Sequence, residues 1–215
     1  MILVLNSLAW FTLTAALLDD LFTRLNLPNG EILVLFGLYY AGIAVSALFG
    51  ALLFPRSREN SLLSWMLFGT IMTAVLATFQ GNSYPVNVLL CGLLGLSTGM
   101  GLPSTLAYFG DTTAVENRGT YGGITWIAVG IGTLALFFIV GLVDPSMQFV
   151  ALAVWRATGI ILFFIFVKLR GKLQMSNSVS SYRNILNKRD VTLYLLPWIM
   201  FSLINFAESP ILKSV

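Results

Sequence analysis

An arginine inside a long apolar run is the first residue of this sequence that could do chemistry. Arg156 lies between Phe149 and Leu169, about two helical turns from one end of that run. A charged group at membrane depth is costly, so an ionisable residue there is a functional candidate. Its guanidinium could bind an anionic group, pair with an acid, or snorkel out to the headgroups on its long stem. Ser202, Asn205 and Glu208 are spaced three apart, which puts them on one face of a helix. They form a polar stripe that could meet a solute, although Glu208 could equally sit at the interface. Asn6, Trp10 and Thr14 repeat every four residues and share a face in the same way. Ser104 and Thr105 add hydroxyls, and Trp10 and Trp126 offer rings that could stack on a ring or a sugar face. Each has a plainer role available. Membrane hydroxyls bond their own backbone or a neighbouring helix, and tryptophans form interfacial belts, where Trp65 is expected.

These side chains must be positioned by helices. Hydrophobic residues make up 57% of the 215, charged residues 10%, and mean hydropathy is +0.87. A soluble domain needs about 25% charged residues, so this chain lacks the polar material to cover a surface in water. A bilayer is crossed by about 20 apolar residues as helix, and seven such runs are visible. They cover roughly Ile2–Leu18, Ile32–Phe54, Leu62–Phe79, Val86–Phe109, Tyr121–Val143, Phe149–Leu169 and Val191–Ala207. Runs such as Ile160–Val167 do not alternate as barrel strands do. The predicted class is all-α, a polytopic membrane protein with about seven transmembrane helices. Spans one to three and four to six form triplets of similar length, compatible with an inverted repeat.

The charges predict orientation. Arg56, Arg58, Arg118, Lys168, Arg170, Lys172, Arg183, Lys188 and Arg189 fall on one side, against Arg24 and Lys213 on the other. That bias puts the amino terminus in the cytoplasm. The net charge of +3 is thus a topology signal rather than a mark of nucleic-acid binding. With no histidine and a single cysteine, Cys91, no metal site, cofactor or disulfide framework is expected. No paired intramembrane carboxylates and no nucleophile–base set are visible, so the chain does not read as an enzyme. A retinal protein would need a lysine in the seventh span and an acid in the third, and neither is present.

Three loop and helix patterns then come together. The loop after span four reads Asp111-Thr-Thr-Ala-Val-Glu-Asn-Arg118-Gly119. The second loop reads Gly50-Ala-Leu-Leu-Phe54-Pro55-Arg56-Ser57-Arg58, and span four carries Gly95, Gly99 and Gly101 before Pro103. With six spans, a basic segment of about twenty residues and a further span, the chain resembles the first half of a major facilitator superfamily transporter plus the start of its second half. Members with sugar-porter-like loops carry an acid, six residues, then Arg-Gly where Asp111, Arg118 and Gly119 stand. Gly50, Leu52 and Arg58 match the second-loop pattern, while Phe54 replaces its acid, Pro55 its first base and Ser57 its second glycine. Gly99 and Gly101 match the fourth helix, while Gly95 stands for an arginine and Thr98 for a glutamine. Gly95 and Gly99 also form a small-xxx-small pair suited to close helix packing, and Gly122, Gly123, Gly130 and Gly132 suggest the same for span five.

The resemblance implies a six-helix amino-terminal bundle over 1–169, built as 3+3 inverted repeats, a cytoplasmic linker over 170–190, and the first helix of an incomplete second half over 191–215. It implies that helices one, four and seven line a cavity, and that an Asp111–Arg118 ion pair holds a cytoplasmic gate. The expected function is transport of a small solute by alternating access across the plasma membrane. The expected partners are the lipid bilayer, that solute, and a missing second half or a second copy. The alternative is a non-transporting half-length scaffold or subunit that pairs with another chain. Met1 leads directly into an apolar run and the seventh span ends close to Val215, so a fragment of a longer protein is expected.

Overall fold

Each of the first six apolar runs forms helix in the computed structural model, which describes residues 1–53, 58–79 and 83–170, with side chains described over 1–51, 59–79 and 83–166. The chain runs through α1 (Ile2–Arg24), α2 (Asn29–Leu53), α3 (Arg58–Phe79), α4 (Tyr84–Gly99), α5 (Leu102–Thr112), α6 (Arg118–Gly141) and α7 (Gln148–Arg170). Single 3-10 turns at Val115–Asn117 and Pro145–Met147 lead into α6 and α7. No strand occurs among the described residues. Six stretches are long and apolar enough to cross a membrane, with α4 and α5 together making the fourth. The protein is an all-α polytopic membrane protein. The seventh predicted span and the segment before it lie outside the described residues.

α1 runs past its predicted end at Leu18, to Arg24. It continues through Asp19 and Asp20 because Arg24 pairs with Asp20 one turn on, at 3.0 Å, and Thr23 bonds the Asp19 carbonyl. It stops at Asn26, which takes a left-handed φ of 52°. The Asn26 amide then bonds the Thr23 carbonyl and the Leu27 amide bonds the Phe22 carbonyl. This double closure satisfies carbonyls that a helix end leaves free, and asparagine tolerates the conformation it needs. Pro28, which lacks an amide donor, follows.

Span four was expected as one helix and is two. Gly99-Met100-Gly101 separates α4 from α5, and Pro103 sits in the first turn of α5. The proline ring collides with the carbonyl four residues back, here Gly99, so the helix cannot pass straight through.

Packing follows the glycines. On α2, Gly42, Ser46 and Gly50 repeat every four residues and face α4 and the break. A Cβ on Gly95 would fall on the Tyr39 carbonyl, one on Gly99 on the Ile43 carbonyl, and one on Gly50 on the Met100 carbonyl. Only hydrogen-sized side chains let these two backbones meet, which is the small-xxx-small arrangement. Span five differs from expectation. A Cβ on Gly132 would meet Leu5 of α1, but one on Gly122, Gly123 or Gly130 would meet nothing within 4 Å among the described residues.

The main helix pairs are α2 with α4, α3 with α7 and α1 with α6, followed by α1 with α7 and α3 with α4. Exchanging the first three spans for the last three leaves this set unchanged. The α2–α4 pair becomes α6–α1, α1–α7 becomes α4–α3, and α3–α7 maps onto itself. Large apolar side chains such as Ile127, Ile131, Leu134 and Phe138 of α6 and Ile161 and Phe164 of α7 point outward, as a bilayer-facing surface requires.

Candidate functional site

α1 is buried on more than one face because it lies against α6 and α7. Its polar stripe therefore turns inward. Asn6 bridges to α7 with both ends of its amide. Nδ2 donates to the Trp155 carbonyl at 2.7 Å and Oδ1 accepts from Arg156 at 3.0 Å. Trp155 returns a bond from Nε1 to the Asn6 carbonyl at 3.2 Å. Gly159, one turn beyond Trp155, makes room, since a Cβ there would fall on the Asn6 amide.

Arg156 is 0% exposed. It does not snorkel. Instead its Nη1 donates to Asn6 Oδ1 and to Ser7 Oγ at 2.9 Å. Its guanidinium carbon lies 4.5 Å from the Trp10 ring centroid and 4.2 Å from that of Trp65. The two indoles meet edge-to-face at 6.4 Å, so the cation is lodged in the angle between them. A desolvated cation gains about 2 kcal/mol or more from such a contact, set against a cost of about 2.5–3.5 kcal/mol for placing arginine in a membrane helix. Nε and Nη2 are buried with no hydrogen-bond partner among the described residues.

The indoles are themselves held. Trp10 Nε1 donates to Thr73 Oγ1 at 3.0 Å, and Thr73 donates to the Gly69 carbonyl. Trp65 Nε1 donates to the Ser97 carbonyl at 2.6 Å. Ser97 belongs to the last turn of α4, where carbonyls lose their intrahelical donors, so Trp65 supplies one at the break. Trp65 is 1% exposed and belongs to the core, not to the interfacial belt expected for it. The site thus joins α1, α3, α4 and α7, two helices from each triplet. Ser7, Gly69 and Thr73 are not singled out by the sequence, which places Trp65 at the interface. A signal was available, because Trp65, Gly69 and Thr73 repeat every four residues and mark one face of α3.

The other predicted residues separate from this cluster. Thr14 bonds the Trp10 carbonyl and Thr105 the Gly101 carbonyl, each reaching back one turn to the backbone. Ser104 is buried on α5. Trp126 is 59% exposed on the outside of α6, so it does not join Trp10. Gly101 lies on the Trp65 ring, and Gly50 and Gly99 serve the α2–α4 contact. Asp111 and Arg118 are both exposed. Arg118 donates from Nε to the Thr113 carbonyl at 3.2 Å, not to Asp111. Gly119 has open space beside it. Arg58 begins α3, but its side chain, like Ser202, Asn205 and Glu208, lies outside the described residues.

A cavity of about 410 Å³ opens at the end of the bundle that holds Met1, lined among others by Leu3, Thr105, Tyr108, Phe109, Tyr121 and Phe163. Leu3 is seven residues from Trp10, and Phe163 is seven from Arg156. Seven residues are about two turns, or roughly 10 Å, along the same helix face. The cavity and the buried guanidinium therefore lie on one line between α1 and α7.

No family model matches the chain, and no curated protein matches it.

Proposed function

We propose that this chain is a transporter of the major facilitator kind, a secondary transporter or facilitator that moves a small solute by alternating access. The observation that carries the reading is the set of helix pairs that survives exchange of the two triplets, with a buried polar cluster drawn from both. Inverted repeats of this kind support two related packings around one site, the physical basis of alternating access. In this reading the amino terminus, the 410 Å³ cavity and the loop from Asp111 to Gly119 are cytoplasmic, and the protein sits in the plasma membrane. A second six-helix half or a second copy completes the solute path.

Counterflow into liposomes tests it. Purified protein is reconstituted, and labelled sugars, amino acids and carboxylates are followed into preloaded vesicles. At least one class should accumulate above protein-free vesicles. Flat traces for every class, with helix content intact by circular dichroism, would remove the transport reading.

One observation favours the second reading, a half-length scaffold or subunit. Among the described residues, a Cβ on Gly122, Gly123 or Gly130 of α6 would meet nothing within 4 Å. A glycine face at membrane depth suits close approach by another helix. Cross-linking from Gly123→Cys to a second chain, with no counterflow, would favour it.

A further inference from the structure

The guanidinium of Arg156 is only partly used. Nη1 takes both Asn6 and Ser7, while Nε and Nη2 are buried and unpartnered among the described residues. Those two nitrogens share one edge of the planar group, and their N–H bonds point the same way. That edge is the fork that takes both oxygens of a carboxylate. No aspartate or glutamate is buried among the described residues, so none of them is placed in the core to fill it.

Gly69 lies beside this edge and places no side chain on it. A Cβ there would stand 3.5 Å from Nε and 3.0 Å from the Trp10 ring. The 410 Å³ cavity, whose walls carry Tyr108, Phe109, Tyr121 and Phe163, lies about two turns away along the same faces of α1 and α7. An aromatic vestibule in line with a cationic fork suits a ligand with a flat apolar body and a carboxylate at its tip.

We propose that Arg156 binds the carboxylate of a small organic anion through Nε and Nη2, with the body of the anion extending toward the aromatic cavity. The proposal deepens the transport reading by giving the solute a chemical class. The binding step itself does not depend on turnover.

Calorimetric titration of the purified full chain in neutral, lipid-free detergent tests it, with sodium benzoate as the probe at ionic strength held constant by chloride. Benzamide has the same shape without the charge, and inorganic phosphate has the charge without the ring. Saturable heat is expected from benzoate and none from benzamide. Arg156→Lys keeps the charge but loses the fork, and should weaken benzoate by about tenfold or more. Gly69→Ala keeps the arginine and crowds the edge, and should weaken benzoate while leaving the circular dichroism spectrum unchanged. The proposal is overturned by no saturable benzoate binding, by equal binding of benzamide, by tighter binding of phosphate, or by undiminished binding in both variants. Benzoate binding without counterflow of any solute leaves this site standing and removes the transport reading. Counterflow of a neutral sugar by protein that ignores benzoate does the reverse.

Discussion

Gly101 rests on the face of the Trp65 indole so closely that a Cβ would occupy the space of the ring. The contact exists because the chain breaks there, between α4 and α5, and brings a residue without a side chain onto an aromatic plane. Gly101→Ala should therefore displace Trp65 at a cost of about 1–3 kcal/mol, the usual range for overpacking. Thermal unfolding in detergent measures it. Gly110→Ala is the control, since a Cβ there would meet nothing within 4 Å among the described residues, and it should unfold no earlier than the parent protein.

Trp65→Phe removes the donor to the Ser97 carbonyl and trims the ring beneath Arg156. A buried carbonyl left without its donor costs about 1–3 kcal/mol, with a further loss from the weaker cation contact. The unfolding midpoint should fall. Trp126→Phe should leave it unchanged, because that ring is on the outside of α6.

The α2–α4 contact predicts a sharp asymmetry among glycines. Gly95→Val would drive a branched side chain into the Tyr39 carbonyl, whereas a Cβ on Gly122 meets nothing within 4 Å among the described residues. Overpacking at a backbone contact cannot be relieved by moving one rotamer. Gly95→Val should fail to accumulate as folded protein in membranes, and Gly122→Val should accumulate normally, both read by fluorescence-detected size exclusion.

The end of α1 depends on one backbone conformation. Asn26 holds a φ of 52°, which glycine adopts freely and β-branched residues avoid. Asn26→Gly should leave stability within a few tenths of a kcal/mol, and Asn26→Val should lower it by about 1–2 kcal/mol. The difference between the two midpoints carries the test.

The first six spans were legible because each is a single apolar run, and membrane crossing demands little more than length and composition. Gly95 and Gly99 were legible as packing residues for a similar reason, since their spacing states the helix face they share. The break at Met100 was written in Gly101 and Pro103, but a glycine and a proline within a membrane helix are often absorbed without a break. The setting of Arg156 was not legible at all. Its hydrogen bonds reach residues 149 and 150 positions earlier, and its second indole comes from α3. The same gap misplaced Trp65. Ring chemistry and position along a helix say interface or core equally well until the neighbours of that helix are known.

Trp65 is held at three points at once: its nitrogen by the last turn of α4, one face by Gly101, and its π-cloud by the cation of α7. A flat, stiff ring clasped in this way behaves as a crank. Any hinge motion of α5 against α4 must tilt the ring, and any tilt alters the electrostatic well in which Arg156 sits. Charge arriving at the arginine and flexing at the Gly99–Gly101 joint are then mechanically one event.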